Sequence, residues 1–162
     1  MPQSLATRYP LVLVPGMLGF VRIGLFPYWY GIVPALRAGG AHVFPVQVAP
    51  LDSNEVRGEQ LLVQIERIRR ETGAEKVNLI GHSQGSLTAR YAAAQRPEWV
   101  ASVTSVAGPN HGSELADYFH THYPIDSVKG RLVSALLHLV AWLMGLLETG
   151  YRGPRFKADL QA

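Results

Sequence analysis

The chain has 162 residues, a length typical of one domain, and 48% of them are hydrophobic and 17% charged. This composition excludes intrinsic disorder. The net charge is only +3 and the longest run of basic residues is Arg69-Arg70, which argues against nucleic-acid binding. The absence of cysteine excludes disulfides, thiolate metal sites and cysteine nucleophiles. Residues 1–7 lack the charged and apolar regions of a signal peptide, so we expect none in this chain.

The first part of the chain alternates short apolar runs with amphipathic segments. Residues 11–14 (LVLV) are typical of a buried parallel strand, and a glycine-rich turn follows at residues 15–19. Apolar residues at helical spacing predict a helix over 28–37. The next strand, over 42–46, is expected towards a sheet edge because Pro45 cannot donate a ladder hydrogen bond.

The alternation continues after a loop at residues 49–54. An amphipathic helix is expected to end at Gly73, a strand follows over 77–80, and the next strand covers 100–107. Between these two strands lies a helix that Pro97 closes. One face of that helix carries Leu87, Tyr91 and Ala94. The order β-α-β-α-β-α-β predicts a parallel sheet covered by helices, an α/β fold.

Only helices are predicted beyond residue 107. The first covers 113–120, behind a Ser-x-x-Ala start, and a long one runs from about 127 to 149. Residues 151–162 are polar and carry no recognisable element.

A sharp turn between the third strand and its helix carries the clearest chemical signal. Gly81-His82-Ser83-Gln84-Gly85 fits G-x-S-x-G, with an apolar strand before it and a helix after it. Such a turn brings the backbones at Gly81 and Gly85 together, which leaves no room for a β-carbon. Ser83 would then be strained and exposed at a helix N-terminus, as a nucleophile requires. The alternative is an ordinary strand-to-helix turn.

Acyl transfer also needs two hydrogen-bond donors for the tetrahedral oxyanion. One would be the backbone N–H of Gln84, directly after the candidate nucleophile. We expect the other in the glycine-rich turn after the first strand and assign it to the N–H of Met17. The alternative is a glycine-rich turn without a catalytic role.

Six stretches of the chain carry a resemblance to a known family. They are residues 9–14 (YPLVLV), 28–32 (YWYGI), 57–62 (RGEQLL), 76–85 (KVNLIGHSQG), 100–104 (VASVT) and 112–117 (GSELAD). Together they resemble the bacterial true lipases of the Pseudomonas–Burkholderia type, within the α/β-hydrolases. The resemblance implies an α/β-hydrolase fold and hydrolysis of long-chain acylglycerols at a lipid–water interface. It also implies that Ser83 is the nucleophile, that Met17 and Gln84 form the oxyanion hole, and that Arg57 braces the oxyanion loop.

Two positions depart from that family's pattern. Pro15 stands where the family often has histidine, and the family's Pro-His-Arg-Gly-Ser-Glu motif is Pro-Asn-His-Gly-Ser-Glu at residues 109–114. Both departures concern the oxyanion loop and its supports rather than the nucleophile. By resemblance alone, the complete protein would use calcium, could need a foldase and would be secreted.

The base and the orienting acid that Ser83 needs are not evident. In α/β-hydrolases the chain order is serine, acid, then histidine, on loops after later strands. The histidines after Ser83 are His111, His120, His122 and His138, and none is expected to be the base. The acids Glu98, Asp126 and Asp159 lie in a helix-ending turn, a lid-like segment and the C-terminal stretch. By resemblance, the acid, the histidine and the calcium ligands would lie beyond Ala162.

The segment 132–147 is apolar apart from Ser134 and His138, and its 16 residues fall short of the roughly 20 that span a bilayer. One broad face carries Leu132, Leu136, Leu139, Val140, Leu143, Leu146 and Leu147. Lipases cover their sites with amphipathic helices of this kind, so we interpret the segment as a lid. The alternatives are a core helix and a membrane anchor.

These observations predict a single incomplete α/β-hydrolase domain over residues 1–162. We expect a core over 1–112, a helical lid-like segment over 113–150 and a C-terminal stretch over 151–162. The predicted function is that of a serine lipase or carboxylesterase acting on lipid or acyl esters, with no cofactor or metal bound by this chain. One alternative is a catalytically incompetent fragment or pseudo-enzyme that at most binds lipid surfaces. Another is an α/β-hydrolase that acts on thioesters or polyesters.

Overall fold

The computed structural model describes residues 4–19, 22–23, 26–124 and 126–147. The predicted stretch over 151–162 and the last two residues of the predicted long helix lie outside these ranges. The strands are β1 Leu11–Val14, β2 Arg22–Ile23, β3 Phe26–Pro27, β4 Val43–Pro45, β5 Val77–His82 and β6 Val100–Val106. The helices are α1 Ile32–Ala38, α2 Asn54–Thr72, α3 Gln84–Gln95, α4 Glu114–His122 and α5 Val128–Leu147, with a 3₁₀ turn at Pro97–Trp99.

Four strands form one parallel sheet in the order β4-β1-β5-β6, which confirms the predicted α/β architecture. β4 lies at one edge, as Pro45 predicts, since the ring removes a backbone donor there. The short antiparallel pair of β2 and β3 was not predicted. In the sequence it lies between the turn at residues 15–19 and α1.

The sheet is covered on both faces, so β1 is buried along its whole length. Val12 and Val14 pack with the apolar side chains of α2, while Leu11 and Leu13 pack with Trp29 on the opposite face. This two-sided burial explains why β1 is a continuous apolar run rather than an alternating one. The carboxyl ends of β1 and β5 consequently meet at one edge of a rigid core.

The helices begin and end where local capping allows. α1 starts at Ile32 rather than at the predicted residue 28, because Tyr28–Tyr30 form a turn and Gly31 takes φ +74° at the N-cap. α2 begins after Ser53, whose hydroxyl accepts a hydrogen bond from the N–H of Val56, and ends at Gly73 in the left-handed conformation, as predicted.

The buried face of α3 differs from the apolar face seen in the sequence. Leu87 and Tyr91 are half-buried and Ala94 is exposed, whereas the helix buries Gly85, Ser86, Thr88, Ala89 and Ala92. Small side chains let α3 lie close to α2 and to the sheet. A β-carbon on Gly58 of α2 would overlap the ring of Tyr91, so that glycine sets the helix separation.

The described part of the chain from β6 onwards is largely exposed. Most residues of β6, the other edge strand, are exposed, and α4 and α5 make no extensive contact with the sheet or with α1–α3. The exposed apolar side chains of α5 are Val128, Leu132, Leu136, Leu137, Leu139, Val140, Trp142 and Leu143. In this structure these side chains are not part of the hydrophobic core. Within the described ranges, no helix is long and apolar enough to cross a membrane.

Candidate active site

Ser83 occupies the apex of the turn that joins β5 to α3. Its backbone has φ 53° and ψ −128°, a strained conformation for a residue with a β-carbon. The Ser83 N–H donates to the carbonyl of Val106 at 2.9 Å, and the hydroxyl of Ser86 donates to the carbonyl of Gly81 at 2.8 Å. These bonds to neighbouring backbone hold the strained turn in place and leave the Ser83 side chain half-exposed.

The two glycines of the motif have the role that crowding predicts. A β-carbon on Gly81 would lie 2.5 Å from the carbonyl oxygen of Gly85, and one on Gly85 would overlap the carbonyl oxygen of Val14. Both obstacles are backbone atoms, which cannot move aside as a flexible side chain can. The predicted need for glycine at both positions is therefore confirmed.

The loop after β1, residues 15–19, lies directly against this turn. A β-carbon on Gly16 would be 2.9 Å from the β-carbon of Ser83. The loop is shaped by hydrogen bonds from the Leu18 N–H to the Pro50 carbonyl (2.9 Å) and from the Gly19 N–H to the Gly16 carbonyl (3.1 Å). The Met17 side chain is 55% exposed.

Two backbone N–H groups beside Ser83 are free to bind a ligand. Gln84 is the first residue of α3, where an amide has no intrahelical acceptor, and the Ser83 side chain does not cap it. Within the ranges given above, neither the Gln84 N–H nor the Met17 N–H donates to a protein acceptor. The two N–H groups assigned from the sequence thus belong to two segments that pack against each other at Ser83.

Arg57 holds the loop from beneath and is fully buried. Its guanidinium donates to the carbonyl oxygens of Pro15 (2.7 Å), Gly16 (3.2 Å) and Ala49 (2.7 Å), and its Nε donates to the hydroxyl of Thr88 (3.1 Å). Burial lowers the pKa of Arg57 to about 10, so the side chain is charged at neutral pH. The contacts expected between Arg57 and the loop at residues 15–19 are therefore present.

A further contact was not predicted from the sequence. The hydroxyl of Tyr28 accepts a hydrogen bond from the Gly16 N–H at 3.1 Å and lies 2.6 Å from Nδ1 of His82. The sequence signals for this contact are the aromatic run at residues 28–30 and the variable position of G-x-S-x-G. Neither indicates that Tyr28 and His82, 54 residues apart, are in contact.

The other histidines do not reach Ser83. His111 is exposed after β6, His122 lies 2.9 Å from the Tyr118 carbonyl, and His138 lies 2.8 Å from the Ser134 carbonyl. His120 is exposed on α4, as is Asp126 before α5. Across the described residues, no histidine or carboxylate is hydrogen-bonded to the Ser83 hydroxyl. Asp159 lies outside the described residues.

Calcium has no fitting site among the described side chains. No group of three or more histidine, aspartate or glutamate residues there lies close enough together to hold a metal ion.

Known proteins match the fold and much of the sequence. The alpha/beta hydrolase fold family matches residues 9–124. A triacylglycerol lipase of Pseudomonas fragi is 56% identical over 132 residues, covering 82% of this chain and 44% of that protein. A triacylglycerol lipase of Vibrio cholerae is 45% identical over 149 residues, covering 92% of this chain and 48% of that protein.

A solved structure agrees at the level of the fold. A mature lipase of Bacillus licheniformis has a TM-score of 0.61 at 21% identity, covering 80% of this chain and 54% of that one. The chain spans less than half the length of the Pseudomonas and Vibrio lipases that it matches.

Proposed function

The chain belongs to the alpha/beta hydrolase fold family, and we propose that it carries the nucleophile of a serine hydrolase of the triacylglycerol lipase or carboxylesterase type. One observation carries the proposal: Ser83 sits on a strained turn, with the free N–H of Gln84 directly after it and the free N–H of Met17 in the loop that packs against it. A hydroxyl beside two such donors is arranged for attack on a carbonyl whose oxygen becomes negative.

In the proposed reaction, the Ser83 Oγ attacks the ester carbonyl while a base takes its proton. The N–H groups of Met17 and Gln84 bind the oxyanion, and the positive end of the α3 dipole adds to that stabilisation. Collapse of the tetrahedral intermediate releases the alcohol and leaves an acyl-Ser83. Water then repeats the attack and releases the carboxylic acid. We place the base and its orienting acid in polypeptide beyond residue 162.

The proposed substrate is a lipid ester presented at a lipid–water interface. Similarity to the triacylglycerol lipases supports this choice, as does the exposed apolar face of α5, which fits a lid that opens towards lipid. On the family resemblance, we also propose that the complete protein is secreted, uses calcium and has a foldase partner.

Covalent labelling tests the nucleophile. A fluorophosphonate probe should label Ser83, the Ser83→Ala variant should not be labelled, and added imidazole should accelerate labelling if residues 1–162 lack the base. Folded protein that never labels, with or without imidazole, would refute the assignment of Ser83. In protein extended beyond residue 162 to include the base, turnover of p-nitrophenyl esters should favour long chains, and a preference for short soluble esters would contradict the lid.

Removing one N–H tests the oxyanion hole. Gln84 is the first residue of α3, a position that tolerates proline, so Gln84→Pro removes the donor while the helix can still form. We expect labelling to slow by about 100-fold. Gln84→Ala keeps the N–H and is the matched control, expected within about twofold of the wild-type rate.

A second candidate function is lipid-surface binding without catalysis. It is favoured by the bonding of His122 and His138 to carbonyl oxygens of their own helices rather than to Ser83, and by the apolar surface of α5. Labelling of Ser83 without ester turnover, together with binding to vesicles, would support it. The reading frame after codon 162 distinguishes the two, since an aspartate followed by a histidine in later loops would supply the missing groups.

A further inference from the structure

The hydroxyl of Tyr28 joins the two segments that form the candidate oxyanion hole. It accepts from the Gly16 N–H at 3.1 Å, and Gly16 immediately precedes Met17. It also lies 2.6 Å from Nδ1 of His82, which immediately precedes Ser83. The Tyr28 hydroxyl oxygen therefore contacts both Gly16, which precedes the proposed oxyanion donor Met17, and His82, which precedes the proposed nucleophile Ser83.

The arrangement around this oxygen is close-packed. A β-carbon on Gly16 would lie 3.2 Å from the Tyr28 hydroxyl, so the loop and the hydroxyl are already in near contact. The Tyr28 ring packs edge-on against Trp29 and His82, with centroid distances of 5.2 and 5.8 Å. Trp29 is buried in the core beside β1. The Tyr28 side chain is consequently held by the core rather than by the exposed loop.

Arg57 does not duplicate this connection. Its hydrogen bonds tie the loop to Ala49 and to Thr88 of α3, through the loop's carbonyl oxygens. The bonds of Tyr28 tie the loop's N–H side to β5, directly before the nucleophile. The two side chains thus fix different sides of the same loop relative to different elements.

We infer that Tyr28 and His82 form a positioning pair that sets the distance between the Met17 N–H and Ser83, an inference that rests on the proposed function. Neither side chain reacts with substrate in this role. A small displacement of one oxyanion donor lowers the rate of acyl transfer because the charge develops at a fixed point. The pair fixes that geometry before substrate binds.

The test uses Tyr28→Phe, which removes only the hydroxyl, and Tyr30→Phe as a matched control in the same turn, where the side chain is 79% exposed. A second pair of variants changes the partner. His82→Asn keeps a hydrogen-bonding group at the position of Nδ1, and His82→Leu removes it.

Two readouts are measured on folded protein. The first is NMR of the Gly16 amide and of the His82 Nδ1 resonance, together with hydrogen exchange of the Gly16 amide. The second is the rate of fluorophosphonate labelling, separated into probe affinity and the rate of the covalent step. Tyr28→Phe should shift both resonances, speed exchange of the Gly16 amide, and slow the covalent step about fivefold with probe affinity unchanged. His82→Leu should have the same effects on the Gly16 amide and on the covalent step, and His82→Asn should retain most of the wild-type rate.

The outcomes separate this inference from the proposed function. If wild-type Ser83 labels and Tyr28→Phe labels equally fast, the positioning pair is refuted while the serine hydrolase stands. If wild-type Ser83 never labels, the proposed function fails and the NMR readouts decide the link alone. Unchanged Gly16 and His82 resonances in Tyr28→Phe would overturn the link in either case, as would equal effects of Tyr28→Phe and Tyr30→Phe.

Discussion

The guanidinium of Arg57 donates to the Pro15 carbonyl at 2.7 Å, although the two residues are 42 positions apart. This bond and the one to Ala49 supply donors to buried backbone oxygens, and a third bond goes to the Gly16 oxygen, which also accepts from the Gly19 N–H. The glycine-rich loop therefore has its shape because a charged side chain from α2 reaches under it.

Replacing this guanidinium should destabilise the protein despite retained charge. In Arg57→Lys a single ammonium replaces a planar fork with several donors, so at least one carbonyl or Thr88 loses its partner. We expect the free energy of unfolding to fall by about 2–3 kcal/mol, measured by urea denaturation. Arg70→Lys is the control, because that side chain is exposed on the same helix and should change stability by less than about 0.5 kcal/mol. Equal effects of the two substitutions would contradict the bracing role.

Adding a methyl group at Gly81 should be far more costly than adding one to a glycine in open space. In Gly81→Ala the new carbon would meet the Gly85 carbonyl oxygen at 2.5 Å, and we expect a loss of about 3 kcal/mol or more. Gly40→Ala is the matched change: its φ is +92° and the nearest atom is 3.8 Å away, so only the backbone preference of about 1 kcal/mol is lost. Denaturation curves of the two variants measure the difference, and a Gly81→Ala protein no less stable than Gly40→Ala would refute the crowding argument.

The strain at Ser83 predicts that removing its side chain stabilises the fold. Ser83→Gly relieves the positive φ, which costs a residue with a β-carbon about 1–2 kcal/mol, against a smaller entropic loss from the added glycine. Ser83→Ala keeps the β-carbon and so keeps the strain. We expect Ser83→Gly to be about 1 kcal/mol more stable than Ser83→Ala, measured by urea denaturation. Ala107→Gly, at φ 49°, should raise the free energy of unfolding similarly while leaving Ser83 intact. If Ser83→Gly were no more stable than Ser83→Ala, the turn at Ser83 would be unstrained.

The parallel sheet and the nucleophile turn could be predicted because their signals are local. The apolar run of β1, the proline in β4 and the G-x-S-x-G motif around Ser83 are each contained in a few consecutive residues. The bond between Tyr28 and His82 could not be predicted, since it depends on how the turn before α1 lies against β5. No sequence pattern encodes a contact of that kind.

The buried face of α3 shows a second limit of pattern analysis. Periodicity weights large apolar residues, and it therefore selects the face of Leu87 and Tyr91. The structure instead buries Ala89 and Ala92, because close approach to α2 and to the sheet requires small side chains. The predicted start of α1 was wrong for a related reason. Gly31, at positive φ, caps the helix at a point where the spacing of the aromatic residues predicted that it was already helical.

The exposed face of α5 predicts binding to lipid whether or not the protein is catalytic. Leu132 and Leu136 are one helical turn apart and 71% and 59% exposed, so together they offer apolar surface that lipid chains would bury. The double variant Leu132→Asp, Leu136→Asp should weaken binding to phosphatidylcholine vesicles at least about tenfold in a sedimentation assay. Val63→Asp tests whether the effect belongs to α5, because Val63 is an equally exposed apolar residue, at 60%, on α2. If Val63→Asp weakened binding as much as the double variant, or if the wild-type protein failed to sediment with vesicles, α5 would not be the lipid-binding surface.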